Sequence, residues 1–174
     1  MNLSLDSTYW WQTISSLIPG QAYSYQFLVD GIIKVADPFS PLILDPNNDN
    51  DIGSLTYPNP IQYPANYTNG FVTVMQPGKT PYNWINTNFN KPNNKDLVIY
   101  ELLVRDFLST HSYLTLIDTL DYLTELGVNA IELMPPGEFE NNESWGYNPS
   151  FHMALDKYYG NPEHFKAFID SCHG

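Results

Sequence analysis

The spacing of hydrophobic residues between 97 and 135 changes twice, which predicts a strand, a helix and a second strand. Val98 to Val104 is an almost continuous run of β-branched, aromatic and aliphatic residues, about as long as one strand. From Ser112 to Leu126 the apolar residues recur every three or four positions, so they share one helix face. Val128 to Met134 is again mostly apolar, which is typical of a parallel strand covered on both sides. The stretch is therefore predicted to be a βαβ unit.

The predicted helix carries start and stop signals. Ser112 or Thr110 can cap its first turn, and Gly127 lies just past its last periodic residue, where a left-handed conformation ends a helix. A second helix is predicted after Asn161 and Pro162, which are typical of a cap and a first turn. The apolar face of the first helix is formed by Tyr113, Leu116, Leu120 and Leu123, and that of the second by Phe165, Phe168, Ile169 and Cys172.

Residues 1 to 75 show the short alternating runs of strands and no helical period. The predicted strands are Tyr9 to Ile14, Ala22 to Val29, Ile32 to Val35 and Phe71 to Met75. Asp30-Gly31 is a dipeptide that favours positive φ, so it predicts a two-residue hairpin turn.

The segment Asp37 to Ile52 is predicted to be an extended loop whose turns are fixed by three prolines. Its Asp and Asn residues raise the alternative of a calcium site. The run lacks the glycine and the terminal glutamate of an EF-hand loop, so a solvated turn is the preferred interpretation. The Asp and Asn residues in question are Asp45, Asn47, Asp49 and Asp51.

Charge and composition narrow the classes of function. The formal net charge is −12, and only 7 residues are basic, which argues against a nucleic-acid partner. Charged residues make up only 15%, whereas Asn, Tyr and Pro are plentiful. The polar surface is then largely neutral, which suits neutral polar ligands; the alternative is that Asn and Pro simply fill loops.

Other classes are disfavoured by single features. Cys172 is the one cysteine, so no internal disulfide can form, and its place on a helix face predicts a packed thiol more than a nucleophile. No Cys/His cluster has metal-ligand spacing, and no metal site or cofactor is predicted in this chain. The first residues lack the basic start and apolar run of a signal peptide, and no stretch is long enough to span a membrane. A soluble chain is expected, with the compartment of a longer parent, secreted or periplasmic among the choices, left open.

Four segments resemble a known enzyme family. The first is similar to later strands of the β-sandwich called carbohydrate-binding module family 48, and the other three resemble the opening of the catalytic barrel in glycoside hydrolase family 13, the alpha-amylase family. In order, the segments are YSYQFLVDGIIKVADPFSP, VIYELLVRDF, ELGVNAIELMP and EFENNESWGYNPSFHMALDKYYG. The order and spacing of the three barrel segments carry most of the resemblance.

The resemblance implies a mixed fold. A partial immunoglobulin-like β-sandwich is expected at 1–76, a polar linker at 77–96, and at 97–174 the first two βα units of a truncated (β/α)₈ TIM barrel. By pattern alone, a parallel α/β unit joined to a small β module is the whole of the prediction.

The stretch after the second strand is predicted to be a long functional loop, because sites of such barrels lie at the C-terminal ends of strands. Pro135 to Gly160 is about 26 residues, well beyond the usual two to six of a βα connection. Packing is the preferred role for four of its aromatic residues, Phe139, Phe151, Tyr158 and Tyr159. In the resembled family the tyrosine of a WGY motif lines the subsite beside the cleaved bond, which implies substrate-binding roles for Tyr147 and Trp145.

The family pattern is not matched everywhere. Pro136-Gly137 and Leu155 stand where relatives carry other residues. Retaining glycosidases need two carboxyl groups about 5 to 5.5 Å apart. In the resembled family these acids follow later strands, so no catalytic residue is assigned here. The acids that are present, none of which is assigned a catalytic role, are Glu101, Asp106, Glu132, Glu138 and Glu140.

Two functions remain open at this level. The first is the N-terminal fragment of an α-glucan-active hydrolase or transglycosylase of starch and glycogen metabolism, itself inactive, with calcium left open for the full-length enzyme. The second is a noncatalytic glucan-binding or scaffold protein, and the reading frame beyond Gly174 is expected to separate the two. Amylase, branching and debranching activities are not distinguished. The chain is also expected to self-associate through the unpaired edges of Val98 to Val104 and Val128 to Met134.

Overall fold

The computed structural model describes residues 1–174 as small antiparallel sheets followed by a parallel strand pair with helices against it. The strands are β1 (Asn2–Leu3), β2 (Trp10–Trp11), β3 (Tyr23–Tyr25), β4 (Phe27–Val29), β5 (Ile33–Val35), β6 (Ile43–Leu44), β7 (Val72–Met75), β8 (Ile99–Leu102), β9 (Ala130–Leu133), β10 (Gly137–Phe139) and β11 (Pro149–Leu155). The α-helices are α1 (Val104–Phe107), α2 (Tyr113–Ile117), α3 (Leu120–Glu125) and α4 (Pro162–Cys172), and short 3₁₀ turns cover Asp49–Asp51, Asn94–Asp96 and Lys157–Tyr159.

The N-terminal half is built from antiparallel pairs around one small core. Strands β3, β7 and β6 form a three-stranded sheet, and β1–β2 and β4–β5 are separate pairs. Leu44, Val72 and Val74 are buried together under the sheet. The predicted strand-rich character of this half is confirmed.

The hairpin turn at Asp30-Gly31 is confirmed. Both residues have positive φ, and the Ile32 amide donates to the Val29 carbonyl at 3.0 Å, closing a two-residue turn. Regular pairing begins one residue later, with Val29 opposite Ile33, so the hairpin loop has three residues instead of the predicted two.

Two predictions in this half are wrong. The strand expected over 22–29 is interrupted at Gln26, whose side-chain amide donates to the carbonyls of Asn69 and Phe71 at 3.0 and 2.7 Å. The loop expected over 37–52 contains β6, because Ile43 and Leu44 are buried and pair with β7. Neither long-range pairing leaves a signal in the local pattern.

The predicted βαβ unit is confirmed. Strands β8 and β9 pair in parallel, with Ile99 opposite Ala130 and Leu102 opposite Leu133. The first strand is shorter than expected, because Val104 already belongs to α1 and is buried in the core. The structure contains this one parallel pair; closure of a (β/α)₈ barrel and the three domain boundaries stay predictions.

The helix expected over 112–126 is two helices that keep one buried face. Tyr113, Leu116 and Leu123 are all buried, as predicted. The helix breaks between α2 and α3, where the Thr119 hydroxyl donates to the Leu116 carbonyl at 2.7 Å. Ser112 caps α2 through the Leu114 amide, and Gly127 takes φ +85° after α3.

Helix α4 packs on the same core. The Asn161 side chain accepts from the His164 amide at 2.8 Å and so caps the helix, as predicted. Phe168 is buried, with Phe165 and Ile169 packed beside it. Cys172 is exposed, so the prediction of a packed thiol is wrong. None of the helices has the length and apolar character needed to cross a bilayer.

The polar segment 77–96 is fastened to α4 by one carboxylate. Asp170 accepts from the amides of Ile85 and Asn86 at 2.9 and 2.8 Å, and the Tyr82 hydroxyl lies 3.3 Å away. These amides belong to a segment without strands, so the buried carboxylate replaces the pairing that a sheet would supply.

Asp170→Asn is expected to lower the melting temperature, because an amide presents one acceptor where the carboxylate satisfies two backbone donors. The hydrogen bonds from Ile85 and Asn86 hold the pKa of Asp170 below its ordinary value. Its stabilisation is then present at neutral pH and is lost as the pH falls through the lowered pKa. The gap between wild type and variant should therefore shrink on acidification, as followed by circular dichroism. Asp121→Asn, on an exposed position of α3, is the control; an equal fall there would contradict the assignment.

Candidate functional site

The segment between β10 and β11 presents two aromatic rings to solvent. This segment, residues 140–148, is named the aromatic loop. Trp145 and Tyr147 are 61% and 65% exposed, whereas Ser144, before them, and Gly146, between them, are buried. The loop therefore faces inward with its small residues and outward with its rings.

Gly146 explains this arrangement. It has φ +87°, and a Cβ on it would stand 2.0 Å from the carbonyl oxygen of Pro135, which follows β9 closely along the chain. No side chain fits there. The backbone of the loop is thus pressed against the C-terminal end of the second parallel strand.

Arg105, in α1 shortly after the first parallel strand, contacts the same loop. Its guanidinium pairs with Asp106, with Nε–Oδ1 at 2.6 Å and Nη2–Oδ2 at 2.9 Å, and Nη1 lies 3.4 Å from the Ser144 carbonyl. The hydrogen bonds from Arg105 lower the pKa of Asp106. The Ser144 hydroxyl accepts from the Gly146 amide at 2.9 Å and donates to the Asn148 side chain.

The other aromatic residues of the predicted long loop pack inside the protein, as expected. Phe139 and Tyr159 are buried in the main core. The Tyr158 ring stacks on the His111 ring with 4.1 Å between ring centroids, and Phe151 meets Phe71 edge to face with 5.3 Å between centroids. The long loop predicted over 135–160 contains regular structure, because β10 and β11 form an antiparallel hairpin with an irregular register.

A buried ammonium group lies behind the aromatic loop. Lys157 Nζ is 2.5 Å from Glu138 Oε1 and 3.2 Å from Asp49 Oδ1, and the Lys157 side chain is only 6% exposed. Asp156 is also buried beside it and accepts from the amides of Phe139 and Tyr158 at 3.2 and 2.8 Å. These four residues, Lys157, Glu138, Asp49 and Asp156, are named the lysine cluster.

The lysine cluster contains one cationic group and three carboxyl groups. Burial raises the pKa of Glu138 to about 8 and that of Asp156 to about 6, and it also raises the pKa of Asp49. Burial works against the charge of Lys157, but Glu138 and Asp49 outweigh it and raise the pKa of that ammonium. Glu138 Oε2 has no hydrogen-bond partner. The cluster is a structural ion network and not a solvent-facing acid pair.

The Asp/Asn run at 45–51 is a solvated turn only in part: Asn47 and Asp51 are exposed, whereas Asp45 and Asp49 are not. Asp45 is buried and accepts from the Asn47 amide at 2.8 Å and the Asn48 side chain at 2.6 Å. Asp49 accepts from the Asp45 amide at 2.9 Å. These carboxylates close the turn on itself, and no group of three or more His, Cys, Asp or Glu side chains is arranged to hold a metal ion.

The remaining acids are spread over the fold. Glu101 and Glu132 are exposed and directly opposite each other in β8 and β9, while Glu140 is exposed in the aromatic loop. Sequence reasoning missed Lys157 and Asp49, which come from distant parts of the chain. The only local signal was Asp156, whose spacing before Tyr158 suits a side-chain cap.

The fold and this site define a class, an α/β unit with an aromatic loop at the C-terminal ends of its parallel strands, joined to a β module. The chain is 32% identical over 168 residues to the malto-oligosyltrehalose trehalohydrolase of Saccharolobus solfataricus, covering 97% of this chain and 25% of that protein. It is also 32% identical over 174 residues to the 1,4-alpha-glucan branching enzyme of Nitrosomonas eutropha, covering 94% of this chain and 21% of that enzyme. No family model matches the chain.

Solved structures give the same result. A Salmonella typhimurium protein assigned as an alpha amylase superposes with a TM-score of 0.69 at 29% identity, over 92% of this chain and 23% of that one. The catalytic module of a glycogen-degrading pneumococcal virulence factor shares the fold, with a TM-score of 0.56 at 22% identity, over 87% and 26% of the two chains. The resemblance to glycoside hydrolase family 13, the alpha-amylase family, is thereby confirmed. The chain spans about a quarter of the length of these proteins.

Gly146→Ala is expected to destabilise the protein by more than Gly127→Ala. Both positions have positive φ, which costs an alanine roughly 1 to 2 kcal/mol. A Cβ at Gly127 meets open space, whereas one at Gly146 overlaps the Pro135 carbonyl. Urea unfolding of the two variants measures the difference. Equal losses would show that the contact with Pro135 is not important.

Proposed function

We propose that this chain is the N-terminal portion of an α-glucan-active enzyme of the alpha-amylase family and that Tyr147 and Trp145 contact the glucan. The parent would hydrolyse or transfer glucosyl units with retention, and residues 97–174 would begin its (β/α)₈ barrel. The portion described here would bind glucan without cleaving it.

The observation that carries the proposal is the position of the WGY motif. Trp145 and Tyr147 are exposed, while Gly146 packs against Pro135, two residues after the end of β9. The C-terminal ends of parallel strands are where barrel enzymes bind their substrates. Because the residues between and before them are buried, the two rings are left free to contact a ligand at this end of the strands.

The chemistry of the rings suits a sugar. The axial C–H bonds of a pyranose form an apolar face with partial positive charge, which packs against the negative face of an aromatic ring. The surroundings are rich in neutral amides and poor in cations, which favours a neutral ligand over a phosphorylated or acidic one. The malto-oligosyltrehalose and 1,4-alpha-glucan enzymes among the relatives support an α-glucan.

Catalysis is not proposed for this chain. Glu138 is buried and paired with Lys157. Glu101 and Glu132 lie opposite each other in adjacent strands, and neither is proposed as the acid or the nucleophile. The pair of carboxyl groups needed for double displacement is expected in parts of the parent outside these 174 residues.

Tyr147→Ala is expected to weaken binding of maltoheptaose by roughly 5- to 100-fold, because one stacking contact is lost. The melting temperature should stay close to that of wild type, since the ring is exposed. Calorimetric titration and thermal unfolding measure the two quantities. Neither protein should release reducing sugar from starch or glycogen.

Tyr122→Ala is the matched control, since Tyr122 is 58% exposed on α3 and outside the aromatic loop. Trp145→Ala should weaken binding in the same direction as Tyr147→Ala. Unchanged affinity beside a large fall in melting temperature would assign Tyr147 to structure alone. Turnover of starch that Glu138→Gln or Glu140→Gln abolishes would place the chemistry in this chain after all.

Self-association is the second expected property of the isolated chain. Strands β8 and β9 pair only with each other, and Ile99 is 54% exposed on the open pair. Sedimentation velocity should show a concentration-dependent dimer or larger species, which Ile99→Lys reduces and Leu114→Lys, a 40% exposed position on α2, does not. A monomer with a sharp melt at all concentrations would contradict this.

A further inference from the structure

The hairpin that carries the aromatic loop, together with the 3₁₀ turn that follows it, is attached to the N-terminal half by three separate contacts. They differ in chemistry, being an ion pair, an amide hydrogen bond and an aromatic pair. The contacts are Lys157 Nζ to Asp49 Oδ1 at 3.2 Å, Asn142 Nδ2 to the Asn48 carbonyl at 3.0 Å, and Phe151 to Phe71 at 5.3 Å between ring centroids.

Two of the three contacts meet the same turn, residues 45–51. Asp49 uses one oxygen for Lys157 and the other for the Asp45 amide, so it joins the ammonium to the backbone of the turn. Asp45 in turn accepts from the Asn48 side chain at 2.6 Å, which holds the residue whose carbonyl meets Asn142. The turn is therefore held by its own hydrogen bonds. One of its contacts reaches the aromatic loop directly at Asn142, and the other reaches Glu138 in β10 through Lys157.

The contacts reach the hairpin both before and after the two rings. Asn142 in the loop and Glu138 in β10, which Lys157 meets, precede the rings, and Phe151 in β11 follows them. Gly146 packs against Pro135, and this contact fixes the loop near its two rings. The ends of the loop need other contacts to hold them. The N-terminal turn supplies that support.

We propose that Asp49 is a positioning residue for the aromatic loop and acts on it through Lys157, so that the turn at 45–51 is part of the glucan-binding apparatus. This deepens the proposed function and rests on it for the identity of the ligand. It gives the N-terminal β half a role distinct from binding glucan on its own surface: it sets the loop that holds Tyr147 and Trp145.

Asp49→Asn tests the proposal, with Asp51→Asn as its matched control. Asp51 belongs to the same 3₁₀ turn but is exposed and makes no ion pair. Hydrogen exchange followed by mass spectrometry should show the amides of residues 139–148 exchanging about tenfold faster in Asp49→Asn than in wild type. Exchange in β3, β6 and β7 should stay as in wild type, and Asp51→Asn should behave as wild type throughout.

Affinity for maltoheptaose gives the functional readout. Asp49→Asn is expected to bind several-fold more weakly than wild type, and Lys157→Arg, which keeps the charge, should retain more affinity than Lys157→Met. Asn142→Ala cuts only the hydrogen bond to the Asn48 carbonyl and should speed exchange in the loop to a smaller extent. If Asp49→Asn does not fold, the exchange rates in Asn142→Ala test whether the turn at 45–51 holds the aromatic loop.

Three results would overturn the proposal. The first is loop exchange in Asp49→Asn equal to that in Asp51→Asn, and the second is acceleration spread evenly over β3, β6 and β7, which indicates general destabilisation. The third is unchanged affinity in spite of a loosened loop. Tyr147→Ala separates these from failure of the proposed function: if that variant binds maltoheptaose as wild type does, the ligand assignment fails, while the exchange data still decide whether Asp49 positions the loop.

Discussion

The burial of one ammonium group connects the parts of this protein. Lys157 satisfies Glu138 on one side and Asp49 on the other, and Asp156 lies buried beside it. Such a group is costly to remove from water, and it is tolerated only where several acceptors surround it. Because those acceptors come from the N-terminal turn and from β10, the same requirement that keeps the lysine charged also fixes the two halves of the chain against each other.

The aromatic loop is held by two contacts with residues that follow the parallel strands. Gly146 lets the backbone approach the carbonyl of Pro135, shortly after β9, and Arg105, in α1 shortly after β8, reaches the Ser144 carbonyl. Two large rings can remain in water because the buried small residues between them, and not the rings, anchor the segment.

The resemblance to the alpha-amylase family and the geometry give complementary information. Sequence similarity extends over almost the whole chain, while the chain covers about a quarter of its relatives. Within the parallel pair, Glu101 and Glu132 are exposed and lie directly opposite each other, and neither strand supplies a cationic partner for these like charges.

The sequence by itself determined the parallel βαβ unit, its buried helix face, the caps at Ser112 and Asn161, and the turn at Asp30-Gly31. The helix face, the caps and the turn depend on residues within a few positions of one another, so period and backbone preference suffice. The two apolar runs on either side of a helix indicate the parallel pair even though Ile99 and Ala130 are far apart in the chain. Only the tertiary structure decided that Gln26 interrupts a strand, that Ile43 and Leu44 form one, and that Asp49 meets Lys157. Those outcomes depend on partners far away in the chain. A carboxylate that forms a long-range ion pair cannot be told from any other residue of a polar turn by its local sequence.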